Sequence, residues 1–177
     1  MHPPYSAGQK SANDNNQNLA YPRLDERIKD TYAAKSTGAN KNSLYDSYFR
    51  ALRWASDRIG QRGVIAFVSN NSFIDGNSAD GVRLSLQEEF SRIFIYNLKG
   101  NQRTSGERSQ REGGKIFGSG SRTGVAITVL VKDPEYVGSA EIFYAEAEDY
   151  TPRQEKLNQI QAYSSIAGIN KAEAFRH

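Results

Sequence analysis

Residues 43–68 constrain the fold more than any other part of this chain. Ser43 carries the short polar side chain of an N-cap, and Leu44, Tyr48, Ala51, Leu52, Ala55 and Ile59 recur three and four residues apart, so 44–59 is expected to be an amphipathic helix. Gly60 and Gly63 stop it. The run Val64, Ile65, Ala66, Phe67, Val68 that follows has the length and composition of a strand buried on both faces. An amphipathic helix leading straight into such a strand predicts an α/β sheet.

The rest of the chain fits that frame. Val82, Leu86 and Phe90 predict a second helix over 82–90, after a turn-rich stretch from 69 to 81. Further strands are expected at 93–98, at 125–131 before Asp133 and Pro134, and at 140–145. The last of these should run antiparallel to the third, because only 135–139 joins them. Pro152 opens a helix over 153–163 whose few apolar anchors, Leu157, Ile160 and Ile166, predict weak packing, with fraying from Asn170 onward. Residues 3–42 read as loop, except for a short helix over 22–34 carried by Leu24, Ile28 and Tyr32. With 177 residues this is one domain: a loop region over 1–42, an α/β core over 43–145 and a helical tail over 146–177. The fold class is α/β, a mostly parallel sheet with an antiparallel final strand, flanked by helices.

Composition removes several kinds of chemistry. No cysteine is present and the two histidines stand at positions 2 and 177, which leaves no disulfide framework, no ordinary zinc cluster and no internal Ser/His or Cys/His dyad. Asp46, Asp75 and Asp80 show no metal or paired-carboxylate spacing. No apolar run approaches the roughly 18 residues of a membrane span and no signal peptide is visible, so the expected location is the cytoplasm, with no membrane partner. A net charge of +3 says little by itself. Its distribution says more: Lys99, Arg103, Arg108, Arg111, Lys115 and Arg122 face only Glu107 and Glu112 within one Gly/Ser-rich stretch. That pattern suits contact with a nucleic-acid backbone, and it also fits a solvated surface.

At the start stands His2-Pro3-Pro4-Tyr5. Alone, a Pro-Pro-Tyr is the composition of a polyproline tail. In company with Leu44 to Phe49, Gly63 to Phe73, Ile93 to Leu98 and Ile116 to Val131, in that order, it resembles the second half of the gamma-class N6-adenine DNA methyltransferases, from their Asn-Pro-Pro-Tyr motif onward. The resemblance covers about four fifths of the chain and is nearest to the methylase region of large single-chain restriction-modification enzymes. It implies a partial Rossmann-like fold and a parent that uses S-adenosylmethionine, flips an adenine out of duplex DNA and methylates it. Pro3 would offer a backbone acceptor to the adenine amine, Tyr5 a stacking face and Phe117 a second aromatic contact; Pro4 completes the motif. His2 stands where the family has Asn, which means an altered site or a replaced native residue. Tyr5 also fits an unanchored tail and Phe117 a plain hydrophobic plug, while Ser72 and Phe73 read as structural.

The glycine-rich strand-turn-helix that would hold the cofactor is not found. Gly113, Gly114, Gly118 and Gly120 precede a strand instead of opening a helix, and read as flexible loop. The chain is therefore expected to bind no cofactor and to be inactive by itself, to partner DNA and a missing N-terminal methyltransferase half, and to form a homodimer through the sheet edge left exposed. Two other readings stand beside this one: a catalytically dead nucleic-acid-binding remnant, and an interaction module built on Pro-Pro-Tyr.

Overall fold

The computed structural model describes residues 21–117 and 122–172. Helix α1 (Pro22–Ile28) begins at a proline, whose missing N–H is no loss in a first turn, and continues into a π-helical stretch (Lys29–Ala33). Ile28 and Tyr32, the apolar face anticipated there, are fully buried. Helix α2 (Ser47–Arg58) is capped by Asp46, whose carboxylate accepts from the Tyr48 N–H at 3.3 Å. Ser43 is not the cap, because a 3-10 turn (Asn42–Tyr45) occupies that position and the Ser43 hydroxyl meets Ser78 at 2.9 Å. Helix α3 (Asp80–Glu89) buries Val82 and Leu86 completely, and Phe90 packs beneath its end. Buried Arg53 joins the helices, reaching both Glu89 oxygens and Asp57 at 2.7 Å and lying over the Tyr32 ring.

Five strands form one sheet: β1 (Gly63–Asn70), β2 (Arg92–Lys99), β3 (Val125–Lys132), β4 (Glu141–Glu146) and β5 (Lys171–Ala172), in the order β1-β3-β2-β4-β5. β1, β2 and β4 point the same way, and β3 runs against both of its neighbours, β1 and β2. The α/β class holds, with one correction of detail. β4 does not pair with β3: both edges of β3 are already taken, so the chain passes over β2 and adds β4 in parallel to its free edge. The antiparallel strand at the end of the sheet is the two-residue β5 on β4, drawn from a segment expected to fray.

One face carries Ile65, Phe67, Ile93, Ile95, Ala126, Leu130 and Ile142 into the main core beneath the helices. On the other face Tyr96, Leu98, Ile116 and Val125 pack with Phe117, Ile160 and Tyr163 over the carboxyl half, and Phe94 is buried in a stack with Phe143, ring centroids 4.4 Å apart. Over the amino half Val64 is 64% exposed, so β1 is buried on one face and not on two. Helix α5 (Arg153–Ala162) supplies part of the carboxyl-half cover, and its fully buried residue is Lys156.

Candidate nucleic-acid interface

Because β1, β2 and β4 share a direction, their carboxyl ends gather at one rim of the sheet, the place where α/β folds build their sites. A continuous polar chain crosses that rim. Asn71 donates to Asn97 at 2.9 Å, Asn97 donates to the Tyr144 hydroxyl at 3.1 Å, and Tyr144 donates to Glu146 at 2.6 Å. Burial, and then the Glu146 carboxylate, push the Tyr144 phenol up, so it remains a donor. The chain continues through Lys99, 3.3 Å from Glu146 and 2.8 Å from Asp149, to Arg111, which donates to Asp149 at 2.9 Å. Burial opposes the Lys99 charge, but Asp149 and Glu146 outweigh it and hold the ammonium above its usual pKa. Lys99 and Arg111 together hold the Asp149 carboxyl below the usual carboxylate range.

The basic stretch leaves this rim as a closed loop. Gly100 N–H donates to the Glu112 carbonyl at 3.0 Å and Asn101 N–H to the Glu112 carboxylate at 3.0 Å, so residues 101–111 begin and end at one neck. Within them lies a short helix, α4 (Gly106–Arg111). The C-terminal segment fastens the neck. Lys156 Nζ donates to the carbonyls of Glu112 at 2.7 Å and Gly114 at 3.0 Å, Arg153 Nε donates to Ile116 at 2.6 Å, and Gly114 N–H donates to Thr151 at 3.1 Å. Desolvation pushes Lys156 down to about 8, against the pull of the nearby Glu112. Gly113 and Gly114 are a close-approach device and not a flexible loop. Gly113 has φ 67, and a Cβ there would stand 2.3 Å from the Thr151 carbonyl; one on Gly114 would stand 2.5 Å from the Arg153 nitrogen. Facing protein backbone in this way, they make no cradle for S-adenosylmethionine, and among the described residues no glycine-rich turn joins a strand to a helix N-terminus.

The six basic residues therefore have different fates. Lys99 is mostly buried in its ion pairs, Arg111 is exposed but held by Asp149, and Arg122 braces the loop by donating to the Gln102 carbonyl at 2.7 Å. Lys115 is half-buried. Arg103 and Arg108 project into solvent on the loop, with no side-chain partner among the described residues. Phe117 is half-buried against the small cluster of Tyr96, Leu98, Ile116 and Val125. The tetrapeptide His2, Pro3, Pro4 and Tyr5 lies outside the described residues, as do Gly118 and Gly120. Phe73 is buried, and Ser72 bonds the Tyr48 hydroxyl at 3.0 Å.

Sequence reasoning missed the rim chain, Asp149 and the fastening by Lys156 and Arg153. A signal for Lys156 exists: Lys156, Ile160 and Tyr163 are four and three apart, a helical stripe whose first member is a lysine. Elsewhere, an open cleft of about 550 Å³ between 37–39 and α3 includes Asp80 and Arg83, but their polar atoms already tie Thr37 and the Phe73 and Gly76 carbonyls in place. Among the described residues no group of three or more acidic or histidine side chains is placed to hold a metal, and no helix is long and apolar enough to cross a membrane.

A three-stranded parallel set interrupted by one reversed strand, with α1 to α3 on one face, α5 on the other and polar groups at the carboxyl rim, is a partial methyltransferase-like α/β unit. More particularly, the chain is homologous to a segment of Type ISP restriction-modification enzymes. It superimposes on a nuclease-deletion mutant of the Type ISP enzyme LlaGI, in complex with a DNA substrate mimic, with TM-score 0.90 and 49% identity over 97% of this chain. The ATP-dependent Type ISP enzyme LlaBIII bound to DNA gives TM-score 0.87 and 44% identity over 94%, and the DrdV-DNA complex 0.85 and 42% over 97%. The chain spans 14%, 11% and 16% of those three chains respectively. No protein-family model and no curated protein matches it.

Proposed function

We propose that this chain is the target-base side of a DNA adenine N6-methyltransferase within a restriction-modification protein, and that it contacts DNA through its basic loop. The observation that carries this reading is 49% identity along nearly the whole chain to one segment of an enzyme of that type, itself a DNA complex. The motif order from Tyr5 to Phe117, with Pro3 and Pro4 beside Tyr5, supports the adenine chemistry. S-adenosylmethionine is held by another part of the parent polypeptide, because Gly113 and Gly114 serve packing against the backbone of Thr151 and Arg153, and the chain alone transfers no methyl group. The setting is cytoplasmic.

The test is a chimaera: this segment replaces its counterpart in the LlaGI nuclease-deletion mutant, and labelled S-adenosylmethionine is followed into DNA adenine. Methylation that disappears with Tyr5→Ala is the expected result. A folded chimaera that binds DNA yet labels no adenine, even with His2→Asn, would sink the methyltransferase reading in favour of a binding remnant.

A further inference from the structure

Resting on the DNA-binding reading above, we propose that residues 101–111 form a preshaped finger that grips the phosphate backbone through Arg103 and Arg108, and that Lys156 and Arg153 are its positioning residues. The finger closes on itself at Gly100 and Glu112 without help from a ligand. Its two solvent-directed arginines flank Ser105 and Gly106, and a Cβ on Gly106 would meet nothing within 4 Å. Ser105 and Gly106, at the middle of the segment between the two guanidinium groups, let a sugar-phosphate strand come close to the backbone, and exposed Glu107 is the one acidic side chain between them. Of the other cations in the stretch, Lys99 and Arg111 are committed to Asp149 and Arg122 to Gln102, while Lys115 is half-buried.

What holds the finger at a fixed height above the rim is the C-terminal segment. Lys156 has no exposed surface, and its ammonium bonds the two carbonyls, Glu112 and Gly114, that bracket the end of the finger. Arg153 and Thr151 secure the next turns of chain, and Tyr150 N–H donates to the Arg111 carbonyl at 3.0 Å. A loop ordered in advance avoids the entropy of ordering on contact, so these anchors act on DNA affinity without touching DNA.

The experiment measures binding of the full chain to a short DNA duplex of arbitrary sequence across a range of salt concentrations, with amide exchange of 101–111 followed in parallel. Arg103→Ala with Arg108→Ala lowers the slope of log affinity against log salt by about 1.8, the value for two lost phosphate contacts. Lys156→Met, and more mildly Arg153→Ala, speed exchange in 101–111 and lower the same slope, whereas Lys29→Met, which removes a charge from the exposed helical layer, does not. Faster exchange with an unchanged slope overturns the positioning role. An unchanged slope in the Arg103/Arg108 pair overturns the finger while leaving DNA binding intact. Absence of any salt-dependent binding by the unaltered chain defeats the DNA reading itself. Should Lys156→Met fail to fold, Arg153→Ala and the exposed arginine pair still decide the matter.

Discussion

A lysine with no exposed surface is the least expected residue in this fold, and its position makes a pH prediction. Desolvation lowers Lys156 from 10.5 to about 8. Between those two values the unfolded chain binds more protons at this site than the folded one, so stability must rise with pH across that window. Each unit of difference corresponds to about 1.4 kcal/mol. Other lysines and tyrosines titrate in the same range, so the clean observable is the difference between the unaltered chain and Lys156→Met. That difference, read from urea unfolding, should move in favour of lysine by roughly 2 to 3 kcal/mol from pH 7.5 to pH 10.5. A flat difference would mean that Lys156 is charged and well solvated in the folded state. Arg53 behaves differently, because its charge is answered by Glu89 and Asp57 at 2.7 Å. Arg53→Met strands the Glu89 carboxylate between α2 and α3, at about 3 kcal/mol. In a chain of this size that lowers Tm by roughly 6 to 12 °C, measurable by circular dichroism.

At the scale of elements, the tightest crossing is between α3 and the π-helical stretch before it. A Cβ on Gly81 would stand 1.9 Å from the Tyr32 carbonyl oxygen, which is backbone and cannot swing aside. Gly81→Ala is therefore expected to force the two elements apart and to lower stability by about 1 to 3 kcal/mol, seen as an earlier urea midpoint with an unchanged slope. An alanine that leaves the midpoint in place would show that this crossing is loose. Helices α2 and α3 and strands β1 to β3 were legible in the residues because periodicity is local and each strand is a compact apolar run. The neighbour of β4 was not. A five-residue link argues for a hairpin with β3, and nothing local reveals that β3 is already enclosed by β1 and β2. The same limit governs the interface. The run of six cations is visible in the sequence, but Asp149 lies 38 residues beyond Arg111 and 50 beyond Lys99, so counting charges could not tell committed cations from available ones. The weak apolar packing expected of α5 holds, since Leu157 and Ile160 are only half-buried; what the residues did not reveal is that its main anchor is a lysine.

For the whole molecule, the two faces of the sheet are finished to different degrees. One is closed by three helices, while the other is closed in part, by α5, the basic loop and the Phe94–Phe143 stack. Beyond their reach Val64 is 64% exposed, opposite the half-buried Val131 across the β1–β3 pair, and Val137 at the turn before β4 is 96% exposed. Among the described residues β1 has one strand neighbour, β3. A sheet margin that joins an apolar face to an edge position favours association, and the relatives, of which this chain spans a sixth or less, have ample polypeptide with which to cover it. Taken by itself, the chain is expected to cover the margin with a second copy. Sedimentation velocity over a hundredfold concentration range should show a monomer giving way to a dimer, and Val64→Lys should push the transition to higher concentration by placing charge in the middle of the contact. The substitution is informative because Val64 is already largely in water, so it disturbs association without disturbing the core. A compact monomer at every concentration would mean that the apolar margin is too small to hold two copies together, and that its cover comes from within the same polypeptide.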